Sequence, residues 1–256
     1  LVDIPIPRRP RFAVIDVARG VAIVAMALFH FTWDLGPDFF GFISVNAVTN
    51  PALIVAARLI AGSFLFIVGI SLVLAHRGGF RSRAYFRRLA IIIGAAALVT
   101  VATRLAVPDA YVRFGILHGI AAASLIGLAF LRAPIWAVLL AAVAAFAAPL
   151  LLVGQAFNGA ALLWLGLGSY LPAMIDYVPV LPWVGPTLIG IAATRWALAN
   201  GLDQRFGQWQ PTSAIARGLA LAGRWSLPIY LIHQPILIGL IYLASLAIGR
   251  PTPTMF

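Results

Sequence analysis

Apolar residues run in long blocks along this chain, and the polar positions between them gather in short clusters. The blocks fall roughly at 12–33, 51–75, 87–107, 114–131, 134–153, 182–199 and 225–248. Runs of 18 or more apolar residues recur from end to end, which is the mark of a polytopic helical membrane protein. A further stretch, FNGAALLWLGLGSYLPAMI at 157–175, is long enough to cross. Its GLGS and Pro172 loosen a helix, so a crossing and a re-entrant segment covered by protein or water both fit it. The pattern predicts an all-α, polytopic transmembrane bundle of seven to eight spans. No long hydrophilic stretch separates a second domain, so residues 1–256 read as one integral membrane domain.

Composition sharpens this picture. Of 256 residues, 62% are hydrophobic and only 10% charged, where a soluble domain is nearer half apolar and a quarter charged. There is no cysteine, which excludes disulfides, thiolate nucleophiles, iron–sulfur clusters and thiolate zinc sites. All 18 basic residues are Arg, and the seven acidic ones are Asp. In a membrane protein a net charge of +11 reads as loops facing anionic lipid rather than as a nucleic-acid surface.

Arginine placement sets the orientation. RRPR precedes the first block, and HRGGFRSRAYFRR (76–88) carries five Arg between the second and third. Both belong in the cytoplasm, so the N-terminus is expected inside. Residues 1–10 resemble the charged region of a signal peptide, but the apolar run that follows is long and no small-residue cleavage site closes it, so the first block is expected to stay as an uncleaved span. Residues 200–224, with Arg205, Arg217 and Arg224, are cytoplasmic with seven crossings and outside with eight. Positive charge favours seven.

The first block is greasy, yet it holds Asp16, Arg19, His30 and Asp34. At about 100° per residue these four share an arc of roughly 60°. Such a stripe must face the bundle interior or a wet cavity. Asp16 and Arg19 are spaced i, i+3 for an ion pair, although headgroup anchoring also fits them. His30 and Asp34 are spaced i, i+4. A carboxylate beside an imidazole fixes its tautomer and raises its basicity, as a general base needs; an interfacial cap is the other reading of Asp34. The two pairs lie about 16 Å apart along the axis, so different tasks are expected of them.

Other polar positions interrupt the later blocks. Arg58 and Arg104 lie deep in theirs and need carboxylates, for which Asp34 and Asp176 are the natural candidates. VRFGILHGIA places Arg113 and His118 at the outer end of the fourth block, with His118 at a depth similar to His30. The two histidines then form an acceptor pocket, or His118 is structural. DYVPVLPW (176–183) reads as a rigid turn entering a helix. Its Asp176 suits hydroxyls or Arg, and Trp183 suits an aromatic belt or a stacking face. In LPIYLIHQPIL, Pro228 and Pro235 bracket His233 and Gln234, and a kinked helix presenting His-Gln inward suits a polar cavity.

Arg19 and His30, ten residues apart inside D-x-x-R-G…H-F, resemble the Arg-x10-His signature of the acyltransferase-3 membrane proteins. The wider pattern is more similar to the heparan-alpha-glucosaminide N-acetyltransferase catalytic-domain-like family, its small bacterial members in particular. Six pieces carry the resemblance in order: IDVARGVAIVAMALFHFTWDL, SFLFIVGISL, YFRRLAIIIGAAALVT, VRFGILHGIA, DYVPVLPWVGPTLIGIA and GRWSLPIYLIHQPIL. The resemblance implies a membrane acyltransferase of the bacterial inner membrane. It would take acetyl from cytoplasmic acetyl-CoA, used as co-substrate with no metal, and deliver it to a sugar amine or hydroxyl across the membrane. His30 matches the family's candidate catalytic His, and Arg19 its paired Arg. The extra spans and lumenal part of the lysosomal enzyme are missing, so a heparan-like substrate does not carry over.

Acyl transfer from a thioester needs a base or nucleophile, donors for the oxyanion and a clamp for the anionic donor. The catalytic candidates are His30, Asp34, Arg19 and Asp16. Arg83, Arg87 and Arg88, with Arg81, sit where the third block meets the cytoplasm and suit phosphates as well as lipid headgroups. His118, Arg113, Asp176, Trp183, His233 and Gln234 are candidates for the acceptor. The partners expected are membrane lipid and the sugar-type acceptor, with self-association into a homo-oligomer left open. A transporter or channel for a small solute or proton also calls for buried His, Arg and Asp on broken helices. A His-ligated haem or metal protein ranks third, because no block carries two histidines.

Overall fold

The computed structural model describes residues 12–249. Each expected block is a helix: α1 (Ala13–Leu35), α2 (Pro51–His76), α3 (Ser82–Ala106), α4 (Ile116–Phe130), α5 (Ile135–Leu151), α6 (Val180–Ala199) and, after two shorter ones, α9 (Ser226–Ala247). Their starts follow from local chemistry. Asn50 accepts hydrogen bonds from the backbone N–H of Ala52 and Leu53, with Pro51 at the first helical position, and so caps α2. α5 likewise begins directly after Pro134. Segment 200–224, expected as a connection, holds α7 (Leu202–Gln208) and α8 (Ala214–Arg224), the latter capped by the Ser213 hydroxyl on Ala216 N–H. Among the described residues there is no strand, only the isolated bridges Phe114–Tyr177 and Gly154–Gly168.

Segment 157–175 is not a spanning helix. It makes two short 3-10 turns, Gln155–Phe157 and Ala160–Leu165, and then runs without helix to Pro179. The left-handed Gly166 (φ 86°) ends the second turn, a conformation glycine takes freely. Among the described residues four helices, α1, α2, α3 and α9, are long and apolar enough to cross a membrane. α4 and α5 are apolar but have 15 and 17 residues, short of the roughly 20 that a bilayer asks for. The basic lead-in Arg8, Arg9 and Arg11 lies outside the described residues.

The core forms around α6, which packs on α2, α4 and α5. Glycine makes the α2–α6 contact possible. A Cβ on Gly69 would fall 2.1 Å from the Thr187 carbonyl oxygen, and one on Gly190 2.3 Å from that of Phe66. The backbones therefore touch directly, and the Thr187 hydroxyl donates to the Leu65 carbonyl at 2.9 Å. Without a hydrophobic force between helices in lipid, such close approach and interhelical hydrogen bonding hold a bundle together. α1 uses the same device against α8, through Gly20 on Leu219 and Gly223 on Asp16.

At one end of the molecule Arg77, following α2, pairs with Asp203 of α7 at 3.1 Å and lies over the Phe12 ring. The start of α1, the α2–α3 loop and α7 thus share one end. The opposite end carries the start of α4 and the segment joining α5 to α6, tied together by the Phe114–Tyr177 bridge.

Candidate functional site

The polar stripe of α1 divides into two clusters. At the Arg77 end, Asp16 is buried and its carboxylate meets two guanidiniums, Arg19 at 3.3 Å and Arg224 of α8 at 3.7 Å. The Asp16–Arg19 pair is the one expected from i, i+3 spacing. Arg19 also donates to the hydroxyl of Ser71 on α2, whose own O–H donates to the Ile67 carbonyl.

Ser71 is also in the wall of a cavity of about 260 Å³ between α2, α3 and α4. Its polar lining is Ser71, His76, Arg81, Tyr85, Arg88 and Ser124. Arg88, one of the arginines suited to phosphates, lines this cavity. Arg83 and Arg87 are not in the lining, and Arg81 takes their place. Helical phase explains the exchange. Arg81, Ala84, Tyr85, Arg88, Leu89 and Ile92 recur at three- and four-residue steps and share one face, whereas Arg83 and Arg87 turn away from it.

The second cluster lies within the last two helical turns of α1 and is completed by α9. Asp34, fully buried, accepts a hydrogen bond from the Gln234 amide at 2.8 Å. The rings of His30 and His233 lie 5.0 Å apart, and His30 stacks on Trp33 at 6.1 Å. His233 and Gln234 therefore do face inward. The proposed His30–Asp34 pair does not form: among the described residues no hydrogen bond joins them. The amide of α9 claims the carboxylate, and the imidazole turns to Trp33 and His233 instead.

Three buried polar atoms in this cluster have no hydrogen-bond partner among the described residues: Asp34 Oδ2, His233 Nε2 and Gln234 Oε1. Asp34 Oδ2 and Gln234 Oε1 are acceptors by nature. His233 Nε2 is an acceptor because Nδ1 of the same ring is spent as a donor on the Tyr230 carbonyl at 2.6 Å. Buried polar atoms are ordinarily satisfied, so these three acceptors on α1 and α9 mark a candidate site, and the partners they lack are N–H or O–H donors.

Tyr230 extends the polar path to the next helix. Its hydroxyl is directed at the Asp176 carboxyl, which accepts the Ile116 backbone N–H at 2.8 Å and so caps α4. Desolvation raises Asp176 above the usual carboxylate range, against the lowering pull of the Ile116 N–H and the Tyr230 hydroxyl.

The structure separates the remaining candidates from this cluster. His118 does not meet His30. It accepts the Gly115 backbone N–H and lies 3.3 Å from the Thr100 hydroxyl, which makes it a brace at the α4 start. Arg113 and Arg104 both stack on the Tyr111 ring, at 4.9 and 4.6 Å. Neither Arg104 nor Arg58 is joined to a carboxylate among the described residues, because Gln234 holds Asp34, and Ile116 and Tyr230 hold Asp176. Trp183 packs at the edge of the α6 core, partly buried. Tyr230, Ser71 and Arg224 were missed as site residues. The signal for Tyr230 was its place three residues before His233, on the same helical face. For Ser71 and Arg224 the chain offers no local signal.

A family model described as "Heparan-alpha-glucosaminide N-acetyltransferase, catalytic" matches residues 11–235. No curated protein and no solved structure matches the chain.

Proposed function

The chain belongs to the heparan-alpha-glucosaminide N-acetyltransferase catalytic family, and from that premise we propose that it is a membrane-embedded acyltransferase. It moves acetyl from cytoplasmic acetyl-CoA to an amine or hydroxyl of a sugar-type acceptor at the membrane or the outer face. The observation that carries this reading is the trio of partnerless acceptors, Asp34 Oδ2, His233 Nε2 and Gln234 Oε1, beside the His30–His233 pair. An amine or sugar hydroxyl brings the donors these atoms lack, and an imidazole stands within reach of its proton.

In this reading the Arg77 end is cytoplasmic, the N-terminus is inside and the chain crosses seven times. Pairing of Arg77 with Asp203 supports it, because the α6–α7 junction then lies on the same side as the basic α2–α3 loop. α4, α5 and α6 count as crossings beside the four long helices. The protein sits in a bacterial inner membrane. Arg81 and Arg88 hold the anionic part of the donor at the α2–α3–α4 cavity, and the polar stripe of α1, whose two pairs lie about 16 Å apart along the axis, leads from Arg19 to His30. Asp16, Arg19 and Ser71 form its cytoplasmic half.

The experiment is reconstitution in liposomes with acetyl-labelled acetyl-CoA and an amino sugar. Release of free CoA matched by label on the acceptor, both lost in a His30→Ala/His233→Ala variant at unchanged melting temperature, is the expected result. No CoA release with amino-sugar or polyol acceptors would sink the reading, and label crossing the bilayer without transfer would replace it with transport.

A further inference from the structure

Two histidines on neighbouring helices are held in opposite ways. His118 accepts the Gly115 N–H at Nδ1, which leaves Nε2 to donate toward the Thr100 hydroxyl, each over 3.3 Å. Both nitrogens are engaged, so this ring has nothing left for chemistry. His233 is reversed. Its Nδ1 lies 2.6 Å from the Tyr230 carbonyl oxygen, which only accepts, so Nδ1 carries the proton. In the neutral ring Nε2 then holds the lone pair, and this atom is buried without a partner among the described residues. A base needs a known tautomer and a bare, aimed nitrogen. His233 has both. His30 shows ring contacts with Phe29, Trp33 and His233 but, among the described residues, no hydrogen bond that would set its tautomer.

Among the described residues, the polar and charged groups about His233 come from α1 and from α9 itself. From α1, His30 faces it directly and Asp34 is bonded to the adjacent Gln234. On α9 itself Tyr230 lies one turn back, with its hydroxyl toward Asp176. On the Tyr230–Leu231 side, α3 and α4 contribute the apolar Ala95, Ala96, Val99, Leu117 and Ile120.

We propose that His233 Nε2 is the base that takes the acceptor's proton, held in its tautomer by the Tyr230 carbonyl. This rests on the acyl-transfer reading above and changes the role of His30 from base to neighbour of the base. In the step, the N–H or O–H bond of the acceptor breaks as its proton passes to Nε2. The freed electron pair bonds to the thioester carbonyl carbon, and the carbon–sulfur bond breaks with its pair leaving on sulfur. The proton on Nε2 then passes to the thiolate and restores the starting ring. Asp34 and Gln234 hold the other donors of the acceptor during the transfer.

Two measurements test it. Nitrogen-15 NMR of histidine-labelled protein in bilayers resolves only four residues, with His30, His76 and His118 assigned through their own variants. His233 is expected with a protonated Nδ1 and a bare Nε2; the opposite tautomer overturns the proposal without any His233 variant having to fold. The second measurement is kcat against pH for wild type, His233→Gln and His30→Gln, with acceptors of graded basicity. His233→Gln is expected to lower kcat about 100-fold or more, to lose the acidic limb of the profile, and to lose less with acceptors that give up their proton readily. An acidic limb that survives in His233→Gln and vanishes in His30→Gln overturns the assignment. A wild type that transfers no acetyl removes the acyl-transfer reading and the base role with it, while a bare Nε2 in the NMR would still establish the lock.

Discussion

Gln234 of α9 donates its amide to Asp34 of α1 across 2.8 Å, joining residues 200 apart in the chain. Asp34 is fully buried, so this amide is the donor that makes the carboxyl tolerable at its position. The same bond aligns α9 on α1 and thereby sets the distance between His233 and His30.

Removing that donor is expected to cost more than removing both partners. Gln234→Leu should lower stability by about 1–3 kcal/mol, within the range for hydrogen bonds to carboxyl groups and between membrane helices. The double variant Asp34→Leu/Gln234→Leu should recover part of the loss. Thermal melts in detergent or nanodiscs read the difference. A Gln234→Leu protein as stable as wild type would show that the bond contributes nothing.

Close backbone contacts predict which glycines are irreplaceable. Gly69→Val and Gly223→Val should fail to give folded protein, because even a Cβ would sit 2.1 Å from the Thr187 oxygen and 1.8 Å from that of Asp16. Gly94, with nothing within 4 Å of its would-be Cβ, should accept Ala with no loss, or a gain of up to about 1 kcal/mol from helix propensity. Size-exclusion profiles and melting temperatures of the three variants check the ranking.

Donor binding should follow the face of α3. Arg88→Ala and Arg81→Ala, at the cavity, are expected to raise the KM for acetyl-CoA about tenfold each, the size of one charge-assisted phosphate contact. Arg83→Ala and Arg87→Ala, off that face, should stay within about twofold. Equal effects across all four would point to a diffuse lipid-headgroup role.

Asp176 gives a pH signature. Its carboxyl sits above the ordinary carboxylate range through desolvation, so the folded state favours the protonated form. Its stabilising contribution is therefore complete below the unfolded carboxyl range and is lost as pH rises through the higher folded value. Asp176→Asn, which still accepts the Ile116 N–H, should fold and should flatten the fall in melting temperature across that window. A melting profile identical to wild type would remove Asp176 from the pH response.

Helix positions were legible in the chain, because the bilayer forces spanning segments to be apolar and to close their own backbone hydrogen bonds. Each expected block appears within a few residues, from α1 to α9. Local spacing also gave the Asp16–Arg19 pair, since a helix turn fixes what i and i+3 can reach. It marked His30, Asp34, His233 and Gln234 as candidate inward polar positions, because polar groups are costly against lipid, with an interfacial cap as the other reading of Asp34.

Partners between helices were not legible. Spacing alone made Asp34 the natural mate of His30, but the amide of α9 arrives from 200 residues away and takes the carboxylate. Spacing also put His118 at the depth of His30, whereas the rotation of α4 turns it to Thr100, and α9 brings His233 instead. The choice among Arg81, Arg83, Arg87 and Arg88 depended on how α3 is rotated against α2 and α4. A sequence fixes the order of polar groups around one helix, but which group meets which is decided by the rotation and depth of the helix beside it. Those are set by backbone contacts such as Gly69 on Thr187, which no single segment records.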